Sequence, residues 1–251
     1  MKVLMIAAEM APWAKVGGLA DVVGSLPQAL GRLGVQIHLC LPRYRMIKKK
    51  ERKIALARGV TVHLIDHPHY FNRQAVYGPH TRGYRNNLSR FSFFCRESLR
   101  RAQQEKIRPD LLHVHDWHAA LSIVYLEKVL KRKGLFSKTR SILSIHNLAY
   151  QGIYPSGQFD RLELPEALRC EAGILSKQKV NLLKGGLFFA KQLTTVSPTY
   201  AREIQHPAQG AGFHRLLKRR SRSLRGILNG IDTQAWDPSQ DRSLAIRYDL
   251  D

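Results

Sequence analysis

Val3-Leu4-Met5-Ile6-Ala7-Ala8 runs straight into Glu9-Met10-Ala11-Pro12-Trp13-Ala14-Lys15-Val16-Gly17-Gly18, and leucine and valine then recur at Leu19, Val22, Val23, Leu26, Leu30 and Leu33. A short apolar run, a glycine pair and a stretch of helical spacing are the pattern of a buried strand feeding a helix through a tight loop. Apolar runs of the first kind return at 35–41, 60–65, 111–115, 142–145, 193–196 and 224–228. They read as strands buried on both faces, and helical spacing recurs between them at 121–130 and 180–190. Alternation of this kind predicts an α/β fold with a doubly wound, mostly parallel sheet. In such sheets ligands gather beyond the carboxyl ends of the strands, so the loops leaving those ends are where chemistry is sought. The polar stretches 48–59 and 72–88 have little periodicity and read as excursions over the sheet rim.

Composition narrows the function classes. With 251 residues, 44% of them hydrophobic, the chain has enough apolar surface for one large domain or two small ones. Glu9 breaks the first apolar run well short of a membrane span or signal core, which predicts a cytoplasmic protein with no membrane partner. Cys40, Cys95 and Cys170 lie far apart and form no CxxC pair or disulfide framework. Lys and Arg number 41 against 19 Asp and Glu, a net charge of +22 concentrated at 43–58, 128–140 and 215–225. No helix-turn-helix, RNP-like or zinc-finger pattern accompanies these clusters, so no specific nucleic-acid recognition is expected.

Three loops carry candidate chemistry. Gly17 and Gly18 before a helix would let backbone N–H groups approach phosphate oxygens, with Lys15 adding a mobile positive charge; a tight turn using glycine for its dihedrals fits the same spacing. The run at 111–115 ends in His113-Val114-His115-Asp116-Trp117-His118, which puts His113 and His115 on one face and Asp116 and Trp117 on the loop beyond. Histidines and a carboxylate this close also match a zinc-dependent hydrolase using His113, His115, Asp116 and His118, although the order differs from the usual HxHxDH and no distal ligand set follows. The run at 142–145 ends in Ser144-Ile145-His146-Asn147-Leu148-Ala149-Tyr150-Gln151-Gly152, where an imidazole and an amide could hold sugar hydroxyls.

Taken in order, Lys15-Val16-Gly17-Gly18-Leu19-Ala20-Asp21-Val22, His115-Asp116-Trp117-His118, His146 to Gly152, Val196-Ser197-Pro198-Thr199-Tyr200-Ala201 and Leu228-Asn229-Gly230-Ile231-Asp232 closely resemble the bacterial glycogen synthase and plant starch synthase family, over essentially the whole chain. The resemblance implies the N-terminal half of a two-Rossmann-domain glycosyltransferase fold. A Rossmann-like acceptor-side domain would span 1–240 and a linker stub 241–251, with the nucleotide-binding second domain absent; a separate second-domain chain is one partner that would supply it, and a fragment of a longer chain is the alternative. It implies transfer of glucose from ADP-glucose to the non-reducing end of an α-1,4-glucan with retention, without metal or other cofactor, and inactive in isolation. Carried onto this sequence, His146, Asp116 and Lys15 would be catalytic, while Lys15, Gly17, Gly18 and Asn229 would bind the donor. Glu9, Asp21, Tyr84, Trp117 and Asn147 would support the site or face the acceptor. The family's usual Tyr-x-Asp-Asn reads Tyr84-Arg85-Asn86-Asn87 here, an acid replaced by an amide. A glucan- or polyanion-binding module without turnover is the non-enzymatic alternative.

Overall fold

The computed structural model describes residues 1–79, 83–131 and 134–249. Parts of three sequence expectations lie outside them: 80–82 of the second rim excursion, 132–133 of the middle basic cluster and 250–251 of the linker stub.

Strands β1 (Lys2–Ile6), β2 (Gln36–Pro42), β3 (Lys53–Ala57), β4 (Val60–Ile65), β5 (Leu111–His115), β6 (Arg140–Ile145), β7 (Ile153–Pro155), β8 (Leu175–Ser176), β9 (Lys179–Asn181), β10 (Gln192–Thr195) and β11 (Leu224–Gly226) alternate with helices. The helices are α1 (Gly18–Arg32), α2 (Pro68–Phe71), α3 (Asn87–Gln104), α4 (Asp116–Tyr125), α5 (Leu182–Phe189), α6 (Pro198–Glu203) and α7 (His214–Arg219). The main sheet has eight strands in the order β11-β10-β6-β5-β1-β2-β4-β3, all parallel except β3. From β1 the chain winds outward through β2 and β4, then returns to β5 on the other side. The order therefore switches between β1 and β5, the position at which doubly wound sheets open a crevice beyond their carboxyl ends.

Val3 to Ile6 of β1 and Leu39 to Leu41 of β2 are buried on both sheet faces, while Leu112, Val114, Leu143 and Ile145 bury one face of β5 and β6. Helices α3, α4 and α5 pack together behind the sheet. Helix α5 reaches α4 closely because Gly186 stands where a Cβ would come within 2.8 Å of the Ala120 Cβ.

Four expectations are corrected. The excursion at 48–59 contains β3, an antiparallel edge strand with a register irregularity at Ala55/Ala57; half-exposed Lys53-Ile54-Ala55-Leu56-Ala57 lacks the apolar run of a central strand. The helix expected at 180–190 starts at Leu182, because Val180 belongs to β9 in a three-stranded sheet ordered β7-β9-β8. The strand expected at 224–228 ends at Gly226, and Ile227 and Leu228 are exposed. Asp116 and Trp117 sit in the first turn of α4, not on a loop.

Candidate active site

The site is built where β1, β5 and β6 end. Glu9, only 4% exposed, follows β1 and turns its carboxylate under the loop that comes next. Its Oε2 accepts the N–H groups of Val16 at 2.7 Å and Gly17 at 2.9 Å, and its Oε1 accepts the Tyr77 hydroxyl. Gly17 thus spends its N–H inward, on a carboxylate. Lys15 Nζ meets Asp21 Oδ1 at 2.6 Å, with both side chains about half exposed. The helix α1 begins at Gly18 without a side-chain cap, so its positive end is left toward solvent. A Cβ at Gly17 or Gly18 would meet nothing within 4 Å, so open space lies in front of both.

On the neighbouring strands the imidazoles form a row. His113 and His115 share a face with ring centroids 4.3 Å apart. His113 Nε2 lies 2.7 Å from Ser144 Oγ, which reaches Thr194 Oγ1 at 2.6 Å across β6 and β10. His115 Nδ1 lies 3.0 Å from His146 Nε2. Burial pushes His146 down to about 4, and burial together with the positive potential of His146 does the same to His113. His115 lies well below the ordinary histidine range, again from burial first. Near neutral pH these rings are uncharged hydrogen-bonding groups.

Asp116 opens α4 with φ +55° and is nearly buried, and its Oδ1 accepts the His146 N–H at 2.7 Å. Burial raises its pKa to about 7, against the pull of the His146 and Asn147 backbone N–H groups and with a smaller contribution from Glu9. The left-handed backbone is uncommon for a non-glycine residue and is tolerated best by Asn and Asp. It turns the carboxyl back across the strand ends to hold the next loop.

His118 stands apart from this row. Its ring stacks on Tyr77 at 4.4 Å and meets Phe91 edge-on at 4.9 Å. Among the described residues no group of three His, Cys, Asp or Glu side chains could hold a metal ion, and the hydrolase constellation is not assembled. Trp117 is buried against Phe91 at 5.2 Å, and Gly152, at φ +64°, stands where a Cβ would approach Trp117 to 2.3 Å. Its faces are core, and none is open for a sugar to stack on. Tyr84 is covered by guanidinium groups, Arg73 at 4.5 Å and Arg90 at 4.8 Å from its ring centre. Asn147 is exposed, with its Oδ1 accepting the Ala149 N–H at 3.0 Å.

A cleft of about 760 Å³ runs along the face of β5, β6 and β10 beside α1, lined by His113 and His115 of β5, by His146 just after β6, by Val22 and Leu26 of α1, and by Asn229. Apart from Tyr84, Trp117 and Asn147, the sequence-selected residues therefore fall into two groups. His146 and Asn229 share the cleft, with Asp116 hydrogen-bonded to the first; Lys15, Asp21, Glu9, Gly17 and Gly18 form the self-engaged loop beside it. Sequence reading missed Tyr77, which has no local signature and reaches Glu9 from 68 residues away. It also missed Arg90, fully buried, which donates to the Tyr70 carbonyl at 2.7 Å, the Val76 carbonyl at 3.1 Å and Asn87 Oδ1 at 2.5 Å, and so fixes the segment bearing Tyr77. An arginine inside a charged, polar stretch looks like a solvated residue until its backbone partners are seen.

Residues 2–219 match the family described as the starch synthase catalytic domain. Glycogen synthase 2 of Geobacter metallireducens is 39% identical over 99% of this chain, and a glycogen synthase of Anaeromyxobacter sp. (strain K) is 40% identical over the same share; in each case 56% of the relative is covered. The chain thus spans about half the length of the curated relatives it matches. Among solved structures, the catalytic domain of starch synthase IV from Arabidopsis thaliana, bound to ADP and acarbose, superposes with a TM-score of 0.87 at 34% identity over 99% of this chain and 55% of that one. A sucrose-phosphate synthase from Thermosynechococcus elongatus, TM-score 0.57 at 16% identity, shares the fold alone.

Proposed function

The chain belongs to the starch synthase catalytic domain family, and from that premise we propose that it is the acceptor-side half of a retaining glucosyltransferase that moves glucose from ADP-glucose to the non-reducing end of an α-1,4-glucan. The observation that carries the reading is the shared cleft along β5, β6 and β10, where neutral His146 and Asn229 face one volume and buried Asp116 holds the His146 backbone. That the related starch synthase IV holds ADP and acarbose supports a nucleotide and a sugar as the occupants.

In this reading the glucosyl group lies against His146 and Asn229. Transfer with retention passes through an oxocarbenium-like state that is stabilised by positioned hydroxyl contacts and by charge neutralisation at the leaving diphosphate. His146 contributes as a neutral hydrogen-bonding group at the sugar, since its depressed pKa keeps it from taking up the second proton, and the positive charge, near pH 7. Asp116 keeps the His146 loop in register and offers a carboxyl poised between its two forms. Lys15 leaves Asp21 to meet the diphosphate, which approaches the uncapped start of α1 over Gly17 and Gly18. Glu9 fixes the loop shape from below, and Asn147 and the Tyr84 segment border the acceptor. No metal or other cofactor takes part.

A Rossmann-like domain over 1–240 and a linker beyond it are part of the same proposal, together with a second, nucleotide-binding domain across the cleft. Support comes from Ile227, Leu228, Ile231 and Trp236, all largely exposed along the segment after β11, and from the greater length of the relatives. A buried interface is the ordinary fate of apolar side chains so closely spaced. We place the protein in the cytoplasm, consistent with three free cysteines, two of them buried. No helix of the described residues is long and apolar enough to cross a membrane.

The test joins this chain to a second domain and follows label from ADP-glucose into glycogen. An α-linked product, lost in His146→Ala, is expected. Release of free glucose without chain extension would contradict the reading.

A further inference from the structure

The loop at 146–152 carries His146 and Asn147, and two helices, α5 and α6, hold it from outside. Leu148 donates its N–H to Tyr200 Oη at 3.1 Å. The first amides of α5, Leu182 and Leu183, donate to the carbonyls of Gly152 at 3.1 Å and Gln151 at 3.0 Å. Between these anchors the Gln151 side chain joins two further segments. Its Oε1 accepts from Asn181 Nδ2 at 2.8 Å, and its Nε2 donates to the Ala211 carbonyl at 2.8 Å and the Leu148 carbonyl at 3.3 Å.

The direction of that amide is forced. Asn181 caps α5, its Oδ1 accepting the Lys184 N–H at 2.9 Å, so only its Nδ2 can face Gln151. Gln151 must therefore present its oxygen to Asn181 and its nitrogen to Ala211. The far side is equally fixed. Ala211 has φ +43° and Gly212 φ +87°, and a Cβ on Gly210 would come within 2.5 Å of the His214 Cβ, so the turn aims one carbonyl at Gln151.

We propose that Gln151 is a positioning residue for the glucosyl site: a relay in which the α5 cap dictates the orientation of one amide, and that amide ties the His146 loop to the turn at 210–212. The inference rests on the glucosyltransferase reading given above. A neutral hydrogen bond at a half-exposed site adds little to global stability, whereas small displacements of a group at the reacting centre are felt strongly in turnover. Gln151 itself contacts no substrate in this account.

Two single substitutions separate positioning from folding. Gln151→Glu keeps the acceptor for Asn181 and sets a carboxylate oxygen against the Ala211 carbonyl. Asn181→Asp keeps the helix cap and obliges the Gln151 amide to flip, with the same result at Ala211. In the enzyme joined to its second domain, each should lower kcat by roughly 10-fold while KM for ADP-glucose stays within about 2-fold of the parent. In the chain alone, each should speed amide hydrogen exchange at 147–149 and 210–213 while the melting temperature is retained. Parental kcat in Gln151→Glu, unchanged exchange in both variants, or a joint fall of melting temperature and donor affinity in Asn181→Asp would overturn the proposal. An inactive joined parent would instead sink the glucosyltransferase reading, and the exchange arm would still decide whether the relay exists.

Discussion

The row His113–His115–His146 and the loop from Glu9 to Gly18 stand side by side at the same end of the sheet and are built in opposite ways. The row is buried at His115 and half-buried at His113 and His146, uncharged, and braced across three strands by Ser144 and Thr194, with Asp116 locking the next loop in place. The loop is exposed from Lys15 to Gly18 and occupied with itself, Lys15 held by Asp21 and the Val16 and Gly17 amides by buried Glu9. One region is pre-organised by the fold. The other keeps its charges satisfied until a stronger partner arrives, and an exposed pair such as Lys15–Asp21 is cheap to exchange, worth about 0–1 kcal/mol.

Substitutions break this comparison at different depths. In the joined enzyme, His146→Ala should cost on the order of 1,000-fold in turnover, because a positioned group at the reacting centre is lost; steady-state rates check this. Lys15→Ala should cost roughly 100-fold in turnover, yet shift unfolding free energy by no more than about 0.5 kcal/mol, read by urea denaturation. Equal damage to stability and turnover there would make the loop part of the core. Gly152→Ala should destabilise by about 2 kcal/mol in the same denaturation, since it forces a Cβ into Trp117 at a positive φ.

The smallest effect tests the electrostatics of the buried region. Asp116 has its folded pKa raised to about 7, above the ordinary carboxyl value near 3.9. Between those values the folded chain holds a proton that the unfolded chain has released, so this group's contribution to stability falls as pH rises toward 7. His113 and His146, lowered to about 4, act in the opposite sense, their contribution rising with pH from about 4 to the usual histidine range. Asp116→Asn should therefore gain stability relative to the parent at pH 8, with the gain shrinking toward pH 4. A gain independent of pH would show that the carboxyl is ionised throughout.

The contrast also explains what the sequence could announce. Strands such as 60–65 and 111–115 were legible because a strand inside the sheet demands mostly apolar residues, here interrupted only at Thr61, His63, His113 and His115, and the observed strands carry the same bounds. The edge strand β3 was not, since one exposed side relaxes that demand and admits Lys53. Residues at the strand ends could be selected because α/β folds place loops there. Their partners could not: that Glu9 turns inward, that Tyr77 and Arg90 brace it, and that His118 leaves the imidazole row are all consequences of contacts between residues tens of positions apart. The three-histidine pattern looked like a ligand set in one dimension because sequence spacing does not show that the last ring, in the first turn of α4, packs into the core.

The most direct test of the account is glucose incorporation from ADP-glucose into glycogen by the purified chain, alone and after mixing with a separately expressed second domain. Transfer that appears only on mixing is the predicted result. Hydrolysis by the chain alone that is abolished by a metal chelator, or glycogen retention with no transfer even after mixing, would contradict it.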